Sequence, residues 1–169
     1  MDTYLAVASK RDWRSYADRP VPEDVQRRIL DAGRLSGSSQ NVQPWTFVVV
    51  ESAEGKDRLA ETVYAQDNVR TCSFAVAIAT LEGKYPFDVG RAMQNMMLTA
   101  WNEGVVSCPN GMPDPEAAAR ALDLEGGFLP INIPSFGYPK TARNPEAKSA
   151  EAWSEEANRR PLDELVRRI

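Results

Sequence analysis

Apolar residues follow two kinds of pattern along this chain, and each predicts a type of secondary structure. Thr46–Val50 is a nearly continuous β-branched run, and Phe74–Leu81 is a longer apolar run. Short unbroken runs of this kind are typical of strands buried on both faces. Between residues 22 and 35 the apolar positions recur at helical spacing, which predicts a helix with Pro22 at its first position.

The clearest helical pattern lies in the middle of the chain. Val89, Met93 and Met97 fall on one face at helical spacing. Asp88 precedes them and suits a helix N-cap, and Gly104 suits the C-terminal stop. The sequence therefore predicts a long central helix between these two residues.

The second half of the chain adds shorter elements. The patterns predict a strand at Val105–Cys108, a helix from Asp114 to Leu122 and a third central strand at Ile131–Phe136, where Pro134 argues against full pairing. A helix is also expected at 53–65. Strands and helices are mixed, so the expected fold class is α+β, with a helix-covered central mixed sheet.

The C-terminal residues look different from the rest. Residues 138–161 are rich in Pro, Arg, Glu and Asn, and a short helix is expected at Leu162–Ile169. We expect residues 1–169 to form one domain and residues 138–169 to be an arm that wraps a partner subunit or, alternatively, is loose. A second copy would also help a chain with few large apolar residues to bury enough surface.

Composition excludes several classes of function. A net charge of −4 argues against a broadly basic nucleic-acid surface. No apolar run approaches the roughly 18 residues of a membrane span, and residues 1–15 lack a secretory pattern, so we expect a cytoplasmic protein. The chain has no His and only two cysteines, Cys72 and Cys108. These counts exclude His-based triads, His-liganded metals, a Cys-only zinc site and a disulfide framework; we expect no metal and two thiols that behave as apolar residues.

Three polar groups could carry chemistry, and each has an ordinary structural alternative. Lys10, Arg11 and Arg14 could grip a phosphate, or form a solvated charged face. Residues 38–45 offer hydroxyls, amides and backbone donors between a helix and a strand, where ligands often bind, but could be a plain connecting loop. Arg159 and Arg160 could bind an anion or be a surface charge pair.

Taken in order, several segments resemble the nitroreductase family of FMN-dependent oxidoreductases. The match begins at Arg11–Tyr16 and continues with Ser-Ser-Gln-Asn-Val-Gln-Pro-Trp at 38–45. It then includes the helix that begins near Asp88, the turn at 104–111, Phe136–Pro139 and Arg159–Leu162. The resemblance covers nearly the whole chain, and the segment at 38–45 is its most specific part.

The resemblance implies roles for particular residues. Lys10, Arg11 and Arg14, with Arg159 or Arg160, would hold the FMN phosphate and the polar edge of the ring. Asp12 lies beside that cluster, Ser38 and Ser39 would line the flavin, and Asn41 and Gln43 belong to the same loop, with Asn41 reaching across a dimer interface. The turn at Asn110 and Gly111 would present backbone N–H groups near the reactive ring nitrogen. Asn68 and Arg70 are weaker candidates for the carbonyl edge of the ring.

The resemblance also implies a reaction and an assembly. A homodimer would bind FMN between its subunits, take a hydride from NADPH or NADH and reduce a small electron-poor organic molecule, such as a nitro or quinone compound. Asp12 stands where many members have Ser, which leaves a flavin-modifying or deazaflavin-using enzyme as an alternative. The short stretch between Leu81 and Asp88 leaves a non-catalytic flavin-binding dimer as another.

Overall fold

The computed structural model describes residues 1–169, and the chain divides into two compact units. One unit, which we call the core unit, is Arg11–Ala142. The other, the terminal unit, combines Met1–Lys10 with Arg143–Ile169. No helix in either unit combines the length and the apolar character that a membrane crossing requires.

The core unit contains five helices and five strands. The helices are α2 (Glu23–Arg34), α3 (Ala53–Ala60), α4 (Gln66–Arg70), α5 (Pro86–Asn102) and α6 (Pro115–Ala121). The strands are β1 (Trp45–Val50), β2 (Phe74–Leu81), β3 (Val106–Cys108), β4 (Phe128–Asn132) and β5 (Ser135–Gly137). The terminal unit contains α1 (Thr3–Ser9), α7 (Ala150–Glu156) and α8 (Leu162–Leu165).

Strand β2 is the centre of the sheet, as its long apolar run predicts. The strand order is β1-β2-β5-β3, and β4 pairs with the second half of β2. All of these pairs are antiparallel, and the parallel component is one isolated bridge between Asp12 and Ser107. The expected α+β class with a helix-covered sheet is confirmed.

Both faces of β2 are buried in apolar clusters, which explains why its sequence does not alternate. Ala75 and Ala77 face a cluster that includes Leu59 of α3. Phe74, Val76 and Ile78 face the cluster formed with α2 and α5. Helices α2 and α5 pack closely because α2 has a glycine at the contact: a Cβ on Gly33 would lie 2.2 Å from Met96 Cε.

Two expected strands differ from the observed ones. The prediction that Thr46–Val50 is buried on both faces is wrong, because Thr46 and Val49, on opposite faces of β1, are both exposed. Strand β1 also lies at the sheet edge and pairs only with β2. The single strand expected at Ile131–Phe136 is instead the end of β4 and the start of β5, with Pro134 between them. Pro134 has no N–H for a continuous ladder, so the chain breaks there.

Several helix boundaries also differ from expectation. Asp88 does not cap α5; the N-cap is Tyr85, in a left-handed conformation, and Asp88 lies in the first helical turn. Pro22 is the N-cap of α2 rather than its first residue. Gly104 ends α5 as predicted, with a positive φ of 75° just past the helix. The expected helix at 53–65 is shorter and ends at Ala60.

The terminal unit is more helical than its composition suggested. Helix α1 was not predicted; its N-cap is Asp2, whose carboxylate accepts hydrogen bonds from the backbone N–H groups of Tyr4 and Leu5. Helix α7 also lies within residues 138–161, where no helix was predicted, and it packs against α1. The final helix is only one turn long, Leu162–Leu165.

Candidate functional site

The basic segment Arg11–Arg14 lies beside strand β3. Asp12 forms a parallel bridge with Ser107, and the backbone N–H of Trp13 donates to the Ser107 carbonyl at 3.0 Å. These bonds fix the backbone between two cations. Arg11 is half-buried and Arg14 is exposed. Both side chains therefore extend from a backbone segment that is hydrogen-bonded to β3.

The turn after β3 carries two more of the predicted residues. Asn110 is buried; its backbone N–H donates to the Ile133 carbonyl at 3.2 Å and its amide Nδ2 to the same oxygen at 2.7 Å. Gly111 follows and is exposed, and its N–H donates to no group of the protein. Buried Asn110 therefore holds the neighbouring Gly111 in place, and the backbone N–H of Gly111 is open to a ligand.

Asn68, a weaker candidate from the sequence, joins this turn. Its amide Nδ2 lies 2.9 Å from Asn110 Oδ1. Both side chains are buried, so the bond is shielded from water. Arg70 does not join them: it is half-exposed and forms ion pairs with Glu61 and Asp57.

A buried hydroxyl pair extends the same network. Ser135 Oγ lies 3.1 Å from Asn110 Nδ2 and 2.7 Å from the Tyr16 hydroxyl. Burial raises the pKa of Tyr16 far above its ordinary value, although the hydrogen bond with Ser135 acts in the opposite direction. Tyr16 is therefore a neutral phenol that is linked to Asn110 of the turn through Ser135 Oγ.

The polar loop predicted from residues 38–43 contains a one-turn 3₁₀ helix, Ser39–Asn41. Gln40, Asn41 and Gln43 all have left-handed backbone conformations, with φ of 50°, 56° and 52°. Non-glycine residues rarely adopt such values, and they persist only where the surroundings hold them. Ser38 helps, because its Oγ accepts the Gln43 N–H at 2.8 Å.

Polar side chains of helix α5 pack against this loop and the residues just before it. Buried Asp88 accepts the Ser39 N–H on Oδ2 at 3.2 Å, and Asn95 Nδ2 lies 2.7 Å from Ser36 Oγ. Between them, Arg91 lies under Gly37, where a Cβ would be 2.6 Å from the guanidinium Nη2. The loop therefore sits against one polar stripe of α5, and Gly37 allows the close approach.

Sequence reasoning missed several of these supporting residues. Asp88 was expected only as a cap, and Asn95 was given no role. The available signal was the spacing of Asp88, Arg91 and Asn95, which places three polar side chains on one face of the helix. Tyr16 and Ser135 carried no such signal, because their contact joins distant parts of the chain.

The predicted residues form separate groups. Arg11–Arg14 and the Asn110–Gly111 turn flank β3, whereas the hydrogen bonds of the Ser38–Gln43 loop stay within the loop or run to α5. Lys10, Arg159 and Arg160 belong to the terminal unit. There, Lys10 caps α1, Arg159 donates to the Ala157 carbonyl at 3.1 Å, and Arg160 pairs with Glu164 at 3.3 Å.

The fold occurs in proteins of known structure. A nitroreductase family protein from Clostridium difficile 630 superposes with a TM-score of 0.83 at 23% identity and covers 99% of this chain and 98% of its own. A nitroreductase in complex with FMN from Desulfovibrio desulfuricans gives a TM-score of 0.80 at 26% identity, over 98% of this chain and 96% of that one. The architecture is thus that of the nitroreductase fold.

Sequence comparison assigns the family. The family model described as Nitroreductase family matches residues 7–73 and 84–138, so the chain belongs to the nitroreductase family. A relative from Methanothermobacter thermautotrophicus, named NADH dehydrogenase/NAD(P)H nitroreductase, is 29% identical over 86% of this chain and 80% of its own. A relative of the same name from Archaeoglobus fulgidus is 28% identical over 87% of this chain and 96% of its own.

Proposed function

We propose that this protein is an FMN-dependent oxidoreductase that uses NADPH or NADH to reduce small electron-poor organic molecules, such as nitro or quinone compounds. The observation that carries the proposal is the match to the FMN-bound Desulfovibrio protein over 98% of the chain, at 26% identity. The NAD(P)H nitroreductase names of the archaeal relatives support the electron donor.

The residues beside β3 suit the two ends of FMN. Arg11 and Arg14 supply guanidinium groups that match phosphate oxygens, and Lys10, Arg159 and Arg160 are further cations for the same role. Asp12 between them opposes a phosphate, so the cations must outweigh it. The backbone N–H of Gly111 suits the ring edge that gains negative charge on reduction.

FMN, when bound, supplies the hydride chemistry, which explains how a chain without His can be an oxidoreductase. The protein's part is to position the ring and to exclude competing partners. Asn68, Asn110 and Ser135 hold the Asn110–Gly111 turn rigid through buried hydrogen bonds. Binding to a rigid donor costs less conformational entropy than binding to a mobile one.

The active assembly is a homodimer. Asn41 is exposed, and its loop makes no hydrogen bond to Arg14 or Asn110 of the same protomer, which supports a role for Asn41 toward the flavin of a second copy. The C-terminal residues support a wrapping arm, because Leu162 and Leu165 are 72% and 58% exposed. A partner surface would bury these two apolar side chains.

An absorbance spectrum of the purified protein tests the proposal. A yellow preparation that NADPH or NADH bleaches under anaerobic conditions is the expected result. A yellow protein that neither nicotinamide reduces would instead favour the flavin-modifying or non-catalytic alternatives suggested by Asp12 and by the short Leu81–Asp88 stretch. A colourless protein that does not take up added FMN or a deazaflavin would reject every flavin-based function.

A further inference from the structure

We propose that a cavity at the surface of the core unit, lined by none of the residues assigned to the FMN phosphate or to the reactive ring nitrogen, binds the phosphate group of a soluble phosphorylated small molecule. The cavity has a volume of about 470 Å³, within the usual range for small-molecule pockets. We call it the Arg19 cavity. Four cationic side chains line it, and Asp18 is its only acidic residue; the cations are Arg19, Lys56, Arg70 and Lys140.

Three of the four cations have no acidic partner. Arg19, Lys56 and Lys140 make no ion pair, although the chain carries more acidic than basic residues. Arg70 differs, because it is paired with Glu61. A concave surface with several unpaired cations has a positive potential that favours an anion.

Arg19 is held in place by an aromatic ring. Its guanidinium carbon lies 4.0 Å from the centre of the Tyr138 ring. Stacking of this kind restrains the planar group without using its N–H donors. The donors are therefore available to phosphate oxygens, and the entropy lost on binding is smaller than for a free surface arginine.

The wall of the cavity adds further donors. Lys56 Nζ gives one hydrogen bond to the Cys72 carbonyl at 2.8 Å, which fixes the ammonium group and leaves two of its N–H donors. Ser73 Oγ accepts the Val21 N–H at 2.8 Å, so its own hydrogen can donate. Charged and neutral donors from separate elements thus converge on one space, as recognition of a phosphate requires.

The charge pattern favours a small phosphorylated molecule over other anions. Three unpaired cations exceed what a single carboxylate needs, whereas a phosphate monoester carries close to two negative charges at pH 7. A long polyanion such as nucleic acid would also meet the rest of a chain whose net charge is −4. The Arg19 cavity shares no lining residue with Arg11–Arg14 or Asn110–Gly111; among the implied flavin contacts only Arg70 lines it, and Arg70 is already paired with Glu61.

Calorimetric titration with inorganic pyrophosphate, in chloride buffer, tests this inference. We expect saturable binding to the wild-type protein and at least tenfold weaker binding to Arg19→Ala/Lys140→Ala. Both replaced side chains are exposed, so the double variant should fold. The matched control is Arg27→Ala/Lys84→Ala, which loses the same charge at exposed positions outside the cavity and should bind within about twofold of wild type.

The titration is run on FMN-saturated protein and repeated on the protein as purified, so that it does not depend on the proposed function. Amide NMR shifts of Thr71 and Ser73 should move on binding, while those of Arg11 and Gly111 stay unchanged in the FMN-saturated sample. Absence of saturable binding, or equal weakening in both double variants, would overturn the inference even if FMN binding is confirmed.

Discussion

Asn68 and Asn110 lie 42 positions apart in the sequence, and a buried hydrogen bond of 2.9 Å joins their side-chain amides. Asn68 belongs to α4 and Asn110 to the turn after β3, so the bond ties a helix to the exposed donor Gly111. The amide of Asn110 is also bonded to Ser135 Oγ and to the Ile133 carbonyl. A fully bonded buried amide is a strong constraint on the backbone that carries it.

Replacing Asn68 by Ala should destabilise the protein and weaken flavin binding. The variant leaves Asn110 Oδ1 buried without this donor, and an unsatisfied buried acceptor costs about 1–3 kcal/mol. Urea unfolding should show that loss, and FMN titration should show a higher dissociation constant. Asp67→Ala is the control, because Asp67 is an exposed neighbour in the same helix. Equal effects of the two substitutions would contradict this role.

The phosphate role of the basic segment can be tested by Arg11→Ala/Arg14→Ala. We expect the double variant to lose FMN during purification and to keep the circular dichroism spectrum of the wild type, because the backbone bridge from Asp12 to Ser107 does not use either guanidinium. Arg58→Ala/Arg120→Ala removes the same charge elsewhere and should keep its flavin. Unchanged flavin occupancy in the first variant would refute the assignment.

The support that Asp88 gives to the loop predicts a graded response to substitution. Asp88→Ala removes the acceptor of the Ser39 N–H, and because hydrogen bonds to charged groups contribute about 1.5–3 kcal/mol, FMN affinity should fall by roughly tenfold or more. Asp88→Asn keeps an acceptor oxygen and should lose less. Fluorescence titration with FMN gives both affinities, and thermal unfolding separates a local loop effect from global destabilisation. Wild-type affinity in the Ala variant would exclude the role.

The sequence predicted the helices and strands of this protein better than the long-range hydrogen bonds that hold the candidate site. Strand β2 and helix α5 were found because their apolar patterns reflect packing, and the helix expected from Asp114 was found because its Asp-Pro start signal is local. The role of the Asn110 turn came from the family resemblance, whereas the basic segment was already a candidate because its cations are closely spaced. The hydrogen bond from Tyr16 to Ser135 was invisible, since it spans 119 positions and neither residue belongs to a local pattern.

Failures at β1 and α1 have the same physical origin. The β-branched run of β1 fits a buried strand equally well, and only the tertiary structure shows that one edge of β1 is unpaired and that Thr46 and Val49 are exposed. Helix α1 is short, and its stability depends on packing against α7, which the sequence places 140 or more positions away. Local propensity does not contain that information.

The proposed wrapping arm predicts that its apolar side chains stabilise the dimer. Sedimentation equilibrium of the wild type should give about twice the protomer mass of 18.8 kDa. Leu162→Asp/Leu165→Asp should raise the dimer dissociation constant at least tenfold without altering the helical content, because both side chains are exposed in the protomer. Leu35→Asp, at another exposed leucine, is the control. A wild-type monomer at all concentrations would contradict the dimer itself.

The buried thiol of Cys72 predicts a loss of stability at alkaline pH. Burial raises the pKa of Cys72 from 9.0 to about 11, so the folded state holds this proton more tightly than the unfolded chain does. The resulting contribution to the free energy of unfolding is complete below pH 9 and disappears as the pH rises to about 11, with a slope of up to about 1.4 kcal/mol per pH unit.

Urea unfolding at pH 8 and pH 10 should show that the wild type loses about 1 kcal/mol more than Cys72→Ala over this interval. The raised pKa of Tyr16 adds a further loss chiefly above pH 10, outside the interval compared. Identical pH dependence in the two proteins would show that the Cys72 thiol titrates alike in the folded and unfolded states.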